Sequence, residues 1–239
     1  MPKLGKRTIA ARARVDKSEL YDPNRAVSLV KENATAKFDE TVELHLKTGL
    51  DGRHADQQVR GSIVLPHGIG RELRVLVFAE GEAATLATEA GADVVGGDEL
   101  IQRVAGGYLD FDVALAQREL MGKVGSLGRV LGPRGLMPNP RTNTVLNGPD
   151  LARGVQEAKA GRVDFRLDRT NLLHCIIGKA SFEPDKLVDN MRAVLGEIVR
   201  SRPAGAKGQL IRGATLTSTM GPGVPLDVNQ MLALASESA

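Results

Sequence analysis

The clearest alternation along the chain lies at residues 37 to 48, KFDETVELHLKT. Val42, Leu44 and Leu46 fall on one parity, and Thr41, Glu43, His45 and Lys47 on the other. Successive side chains of a strand point to opposite faces, so this spacing predicts a half-buried strand with one wet face. Phe38 is in phase with the buried parity, which predicts that it packs in the core. Near the other end GATLTSTMGPG alternates too, with Thr215, Thr217 and Thr219 on one parity of a strand near 209 to 218. Met220, Gly221 and Pro222 then read as a turn.

Helical spacing marks two longer segments. Residues 17 to 33 can align Leu20, Val27, Leu29 and Val30, with Asp22 as N-cap and Pro23 in the first turn. Residues 184 to 200 align Leu187, Met191, Val194, Leu195 and Ile198 behind Pro184. Between them the pattern changes character. Strands at 73 to 79, 92 to 96 and 111 to 116 alternate with helices at 82 to 90 and 98 to 105, and a further helix lies near 118 to 124. That order predicts a parallel α/β sheet. Beyond residue 160, strands return at 161 to 167 and 173 to 178.

Residues 1 to 66 supply too few strands for a domain, and 161 to 239 lack a closing partner. One α+β domain assembled from 1 to 66 plus 161 to 239, with an α/β unit of residues 67 to 160 inserted, satisfies both. The crossings fall near Leu65 to Gly70 and Gly154 to Gly161, where Gly68, Gly70, Gly154 and Gly161 would make a flexible two-strand hinge. Within the insert, residues 123 to 145 carry four basic side chains (Lys123, Arg129, Arg134, Arg141), no acid, four Gly and three Pro. This reads as a shaped, ordered loop able to meet an anion.

Composition narrows the function. With 42% hydrophobic residues the 239-residue chain can bury a core, but aromatics are only 3%, so base stacking is not its main means of holding nucleic acid. Net charge is a mild +3 and unevenly spread. Residues 1 to 15 carry Lys3, Lys6, Arg7, Arg12 and Arg14 and no acid. Residues 68 to 160 carry 10 basic and 12 acidic groups, whereas the remainder carries 22 and 17. A polyanion partner would favour the outer parts, although such an excess also suits a plain solvated surface. The single cysteine, Cys175, lies in the apolar run LLHCII and reads as a small buried hydrophobe in a protein of a reducing compartment. No apolar run approaches a membrane span, and no apolar segment follows the basic N-terminus as in a secretory signal.

Catalytic patterns are missing. His45, His54, His67 and His174 show no i, i+4 pair and no adjacent cysteine, so no metal site is expected. There is no nucleophile motif, no phosphate-binding Gly-Lys loop with its following hydroxyl, and no dinucleotide fingerprint. The expectation is a protein without enzyme activity or cofactor. What remains is binding. If strand 37 to 48 and the segment around Thr215 to Thr219 share a sheet, their outward face offers hydroxyls, a carboxylate and a lysine. Such a face suits 2′-hydroxyls and base edges of structured RNA. It equally suits cross-strand pairing on a wet surface.

Five segments carry a resemblance: 37 to 51 (KFDETVELHLKTGLD), 59 to 70 (VRGSIVLPHGIG), 132 to 140 (GPRGLMPNP), 178 to 182 (GKASF) and 217 to 222 (TSTMGP). In this order they resemble the bacterial L-one family, the first proteins of the large ribosomal subunit, nearly end to end. The resemblance implies a discontinuous α+β two-layer domain that binds RNA, with an inserted Rossmann-like three-layer α/β domain. It implies a cytoplasmic constituent of the large ribosomal subunit that binds large-subunit rRNA and forms the mobile stalk near the tRNA exit site. It further implies help in releasing deacylated exit-site tRNA, and repression of its own operon through mRNA. The family's RNA contacts map onto Lys37, Phe38, Thr41, Glu43, Thr217, Ser218, Thr219, Met220 and Gly221, which replaces the core reading of Phe38. The chain departs from the family pattern at Cys175, at Arg141, Thr142 and Asn143 where a Lys-Thr-Gly is usual, and in the apolar tail after Pro222. Rival readings are an α/β enzyme holding a phosphate with residues 132 to 140, and an RNA-binding repressor outside the ribosome.

Overall fold

The computed structural model describes residues 5–206 and 208–236; Lys3 of the basic N-terminal group and the last three tail residues lie outside them. The first half of the chain runs α1 (Lys6–Ala13), α2 (Pro23–Asn33), β1 (Thr41–Thr48), β2 (Arg60–Val64), β3 (Val75–Phe78), α3 (Glu82–Glu89), β4 (Val94–Gly96), α4 (Asp98–Ala105) and β5 (Val113–Gln117). It continues through α5 (Met121–Val124), α6 (Gly128–Leu131), β6 (Val145–Leu146), α7 (Leu151–Lys159), β7 (Arg162–Arg166), β8 (Leu172–Lys179), α8 (Pro184–Arg200), β9 (Ile211–Ser218), β10 (Val224–Leu226) and α9 (Val228–Ser236). The fold is mixed α/β, and the chain divides into two compact units, 1–70 with 163–239, and 71–162.

The first unit is built on an antiparallel sheet of order β10-β9-β1-β8, so both chain ends contribute to it. On β1 the predicted parity holds. Val42, Leu44 and Leu46 are fully buried, while Thr41, Glu43, His45 and Lys47 face the wet side. Helices α2 and α8 cover the buried face, and every residue of the predicted α8 stripe is in that core. Cys175 on β8 belongs to it as well, and burial pushes its thiol pKa up to about 12, which leaves it an inert hydrophobe.

Asp22 caps α2 as the spacing predicts, its Oδ2 accepting from the backbone N–H of Asn24 (3.0 Å) and Arg25 (3.3 Å). The helix starts at Pro23, however, and not at residue 17. A residue before proline is disfavoured in the helical region, so Asp22 cannot continue a helix from upstream. Leu20 is consequently 63% exposed and outside the stripe. The apolar tail forms β10 and α9: Tyr21 donates its N–H to Pro225 (3.0 Å), and Met231 is fully buried in the same core.

The second unit holds a parallel sheet of order β4-β3-β5-β6 with helices on both faces, a three-layer arrangement. Val75, Val77 and Leu115 pack with α3 and α7 on one face. Leu76, Phe78 and Ala116 pack with α4, α5 and α6 on the other. All four residues of β3 are fully buried, as a central parallel strand covered on both sides requires.

Two expectations for this region need correction. Residues 123 to 131 are not loop but short helical turns that send Val124, Leu127 and Leu131 into the core. Lys123 is not presented to an outside anion either, since its Nζ lies 2.7 Å from both oxygens of Asp98. Gly154 does not loosen a crossing. It sits inside α7, where a Cβ would come 2.3 Å from Leu146 Cδ1, so its small size serves close packing. Asn143 has φ 49° and ψ 35°, the left-handed region in which glycine or asparagine is tolerated, which accounts for an asparagine standing where the resembling family has glycine.

Asp22→Ala should lower stability by about 1 kcal/mol, the usual cost of losing an N-cap, with no change of fold. Urea unfolding followed by circular dichroism would measure it.

Candidate functional site

Strands β1 and β9 run antiparallel with Val42 opposite Ser218 and Glu43 opposite Thr217. The start of β1 therefore meets the end of β9. The irregular segment before β1, residues 34 to 40, and the turn after β9, residues 219 to 223, come together at one end of the sheet, although they are about as far apart in sequence as the chain allows.

Glu40 joins them. Its side chain is 1% exposed, yet each oxygen is satisfied. Oε1 accepts from the Ala36 N–H at 2.9 Å. Oε2 accepts from the Ser218 hydroxyl at 2.7 Å and the Met220 N–H at 2.9 Å. Burial pushes the Glu40 pKa up, but the donors from Met220, Ala36 and Ser218, with the charge of Arg7, outweigh it and hold the carboxyl below the ordinary value. An ionised, fully bonded carboxylate is thus the ground state of this joint.

A second set of bonds ties the strands just beyond. The Thr219 hydroxyl accepts from the Thr41 N–H at 2.9 Å, and the Thr219 N–H donates to the Thr41 carbonyl at 3.0 Å. Lys179 at the end of β8 donates to the Thr41 hydroxyl at 2.9 Å. Asp39 accepts from both the N–H (3.1 Å) and the hydroxyl (2.7 Å) of Ser181. Gly221 closes the turn by donating to the Ser218 carbonyl at 3.1 Å. A Cβ on Gly221 would lie 2.5 Å from Ser218 Oγ, so only glycine fits there without a shift.

The nine residues singled out from the sequence all lie at this end of the β1–β9 pair, but they differ in what they present. Lys37 is exposed, and so are Phe38 (55%) and Met220 (53%). Phe38 thus leaves the core that its parity predicts, because β1 begins only at Thr41 and the alternation does not extend to residue 38. Glu43 and Thr217 are half-buried neighbours on the wet face. Thr41 and Thr219 use their hydroxyls on each other's strand and on Lys179. Ser218 is 2% exposed and bonded to Glu40, so its side chain supports the turn from within. Glu40 itself was missed by the sequence reading. It falls on the parity of the buried residues of β1, and a carboxylate in that phase is the signal that could have found it. On the same wet face His45 meets His174 of β8. Burial and the neighbouring His174 hold its pKa below the usual imidazole value, against the opposing charge of Glu43.

Comparison with known proteins gives a consistent picture. Residues 30–222 match the profile of the "Ribosomal protein L1p/L10e family". A Chloroflexus aurantiacus protein named "Large ribosomal subunit protein uL1" is 54% identical over 228 residues, 95% of this chain and 96% of that protein. Proteins of the same name from Beutenbergia cavernae and Streptomyces coelicolor are each 56% identical, over 229 and 230 residues, covering 96% of this chain and 95% of theirs.

Glu40→Gln should destabilise the protein by about 1.5–3 kcal/mol at neutral pH, the range for hydrogen bonds to a charged group. Because the folded-state pKa of Glu40 is lowered, its contribution is fully present above the ordinary value of 4.5 and is lost as pH falls through the folded value. The gap between wild type and variant in urea unfolding should therefore shrink on acidification below that point. A gap independent of pH would mean that the carboxylate charge is not what holds the joint.

Proposed function

The chain belongs to the ribosomal protein L1p/L10e family, and we propose that it is a non-enzymatic constituent of the large ribosomal subunit that binds large-subunit rRNA through the Glu40 end of the β1–β9 pair. The observation that carries this reading is the exposure of Phe38 and Met220 on segments whose backbone is fixed by Glu40. Large apolar side chains held out on an ordered support can pack against sugars or stack on unpaired bases without a further cost of ordering. Lys37 adds a charge for phosphate, and Glu43 and Thr217 offer groups for 2′-hydroxyls and base edges. Relatives named as large-subunit proteins over nearly their whole length support the assignment to that particle.

The finer reading follows the family resemblance. The protein would be cytoplasmic and ribosome-associated, would build the mobile stalk near the tRNA exit site, and would help release deacylated tRNA. It would also repress its own operon by binding mRNA with the same face. A single surface can serve both RNAs when the mRNA repeats the local shape of the rRNA, since structured RNA is read by shape and 2′-hydroxyl contacts more than by groove sequence.

Phe38→Ala and Met220→Ala should each weaken binding of an rRNA fragment about tenfold or more while leaving the melting curve unchanged. Loss of a stacked base contact amounts to about 1–3 kcal/mol, at ~1.4 kcal/mol per decade. Filter binding with the full-length protein measures it, and unchanged affinity in both variants sinks this reading of the face.

The second unit is expected to be dispensable for that contact. Residues 71–162 carry 11 basic and 12 acidic groups, against 21 and 17 in the rest of the chain. The first unit also keeps its own hydrophobic core. Replacing 71–162 by a short glycine linker should preserve most of the rRNA affinity and a similar salt slope. A loss beyond about 100-fold, about 2.7 kcal/mol, in a folded deletion protein would assign the main contact to the second unit.

A further inference from the structure

The wet face of the first unit carries one cluster that the RNA reading does not use. His45 and His174 are directly paired residues of β1 and β8. Their Nδ1 atoms lie 2.8 Å apart, with the rings edge-on, 4.9 Å between centroids and 69° between planes. Each ring turns its other nitrogen towards a carboxylate: Nε2 of His45 is 3.7 Å from Glu43, and Nε2 of His174 is 3.7 Å from Asp168. Both side chains are open to solvent, at 28% and 49% exposure.

We infer that His45 and His174 form a binding site for one divalent transition-metal ion of the zinc class, held by the two Nδ1 atoms across the strand pair. The geometry needs little adjustment. Zinc–nitrogen bonds of about 2.0–2.1 Å at a tetrahedral angle place two ligand nitrogens roughly 3.3 Å apart. The pair reaches that by opening roughly half an ångström, through small rotations of two partly exposed rings. Hard-wired strand pairing fixes the backbone of both ligands, so few degrees of freedom are lost on binding. The outer groups also fit. A histidine that ligates through Nδ1 carries its proton on Nε2, and a carboxylate facing that proton orients the ring and raises its basicity. Here both rings have one.

The same features limit the site. No cluster of three or more histidine, cysteine or acidic side chains suited to a metal occurs among the described residues, so the protein supplies two ligands and water completes the shell. Lys47 and Arg212 line the same hollow and balance the charge of Glu43 and Asp168. Micromolar affinity is therefore expected. Imidazole donors select zinc, nickel or copper over magnesium or calcium, which prefer oxygen. The sequence reading found no histidine pair at helical spacing, and it could not see a pair made between strands 129 residues apart.

Calorimetric titration of untagged, full-length protein with zinc chloride tests the site, with magnesium chloride as the contrasting ion. One saturable zinc site of micromolar affinity and no magnesium binding are expected. His45→Gln and His174→Gln should each weaken zinc binding about tenfold or more, about one decade in Kd, while His67→Gln leaves it unchanged. In nitrogen-detected NMR of the histidine rings, zinc should shift Nδ1 of His45 and His174 and no other ring. Absence of saturable zinc binding overturns the proposal. So does binding that survives both substitutions, or ring shifts confined to His54 or His67. Should His45→Gln fail to fold, the more exposed His174→Gln and the ring shifts of the wild type decide the matter alone.

Discussion

A buried carboxylate is the constraint on which the candidate face depends. Glu40 is removed from water, and an ionised group in that position is costly unless its oxygens are bonded. Its donors come from Ala36 on one side and from Ser218 and Met220 on the other, the last two 178 and 180 residues away. The site cannot form until β1 and β9 have paired, and their pairing leaves Glu40 no other partner at that end. Order at the surface is thereby coupled to the core. The anion is essential to this arrangement, since an ionised carboxylate accepts at both oxygens, whereas an amide would turn a donor towards N–H and O–H groups that already donate.

The sheet then divides labour between its two faces. Val42, Leu44 and Leu46 on β1 anchor the strand in a core with α2 and α8. That leaves the opposite parity free to hold groups that contribute little to stability. Thr41 and Thr219 are an intermediate case, with hydroxyls spent on the strand pair itself and on Lys179. The outermost residues, Lys37, Phe38 and Met220, have no such duty. A face assembled this way presents a fixed shape at low entropic cost on binding.

Much of this was legible in the sequence where one force dominates. The alternation on β1, the α8 stripe and the Asp22 cap each rest on a strong local signal, and each holds. So does the α/β character of the middle. The failures have separate physical causes. Phe38 and Leu20 were assigned by extending a period past the point where the backbone changes conformation, at Thr41 and at Pro23. Gly154 was assigned by conformational freedom when its role is contact with Leu146, which no single-sequence pattern reveals. Strand β6 and helix α7 were missed because they lie beside a Gly/Pro-rich stretch that masks the spacing. Of the candidate face, the residues were identified through family resemblance. The inward role of Ser218 and the presence of Glu40 and of the His45–His174 pair depend on strand register, which alternation alone does not supply.

Charge explains why rigidity matters so much at this face. Electrostatic affinity for RNA grows with the number of basic groups set against phosphates. Yet few free cations stand at this end of the sheet. Lys37 is exposed, but Lys179 is committed to Thr41 and to the Asp39 carbonyl. Glu43 brings a charge of the wrong sign for phosphate. A face so composed cannot rely on long-range attraction. It must draw its affinity from short-range contacts by Phe38, Met220 and the polar groups between them, and such contacts are effective only if their positions are set beforehand. The cost of burying Glu40 is then the cost of specificity: a neutral, loosely held turn would bind weakly and without preference, whereas a turn locked to the first residues of β1 presents one shape to one RNA surface.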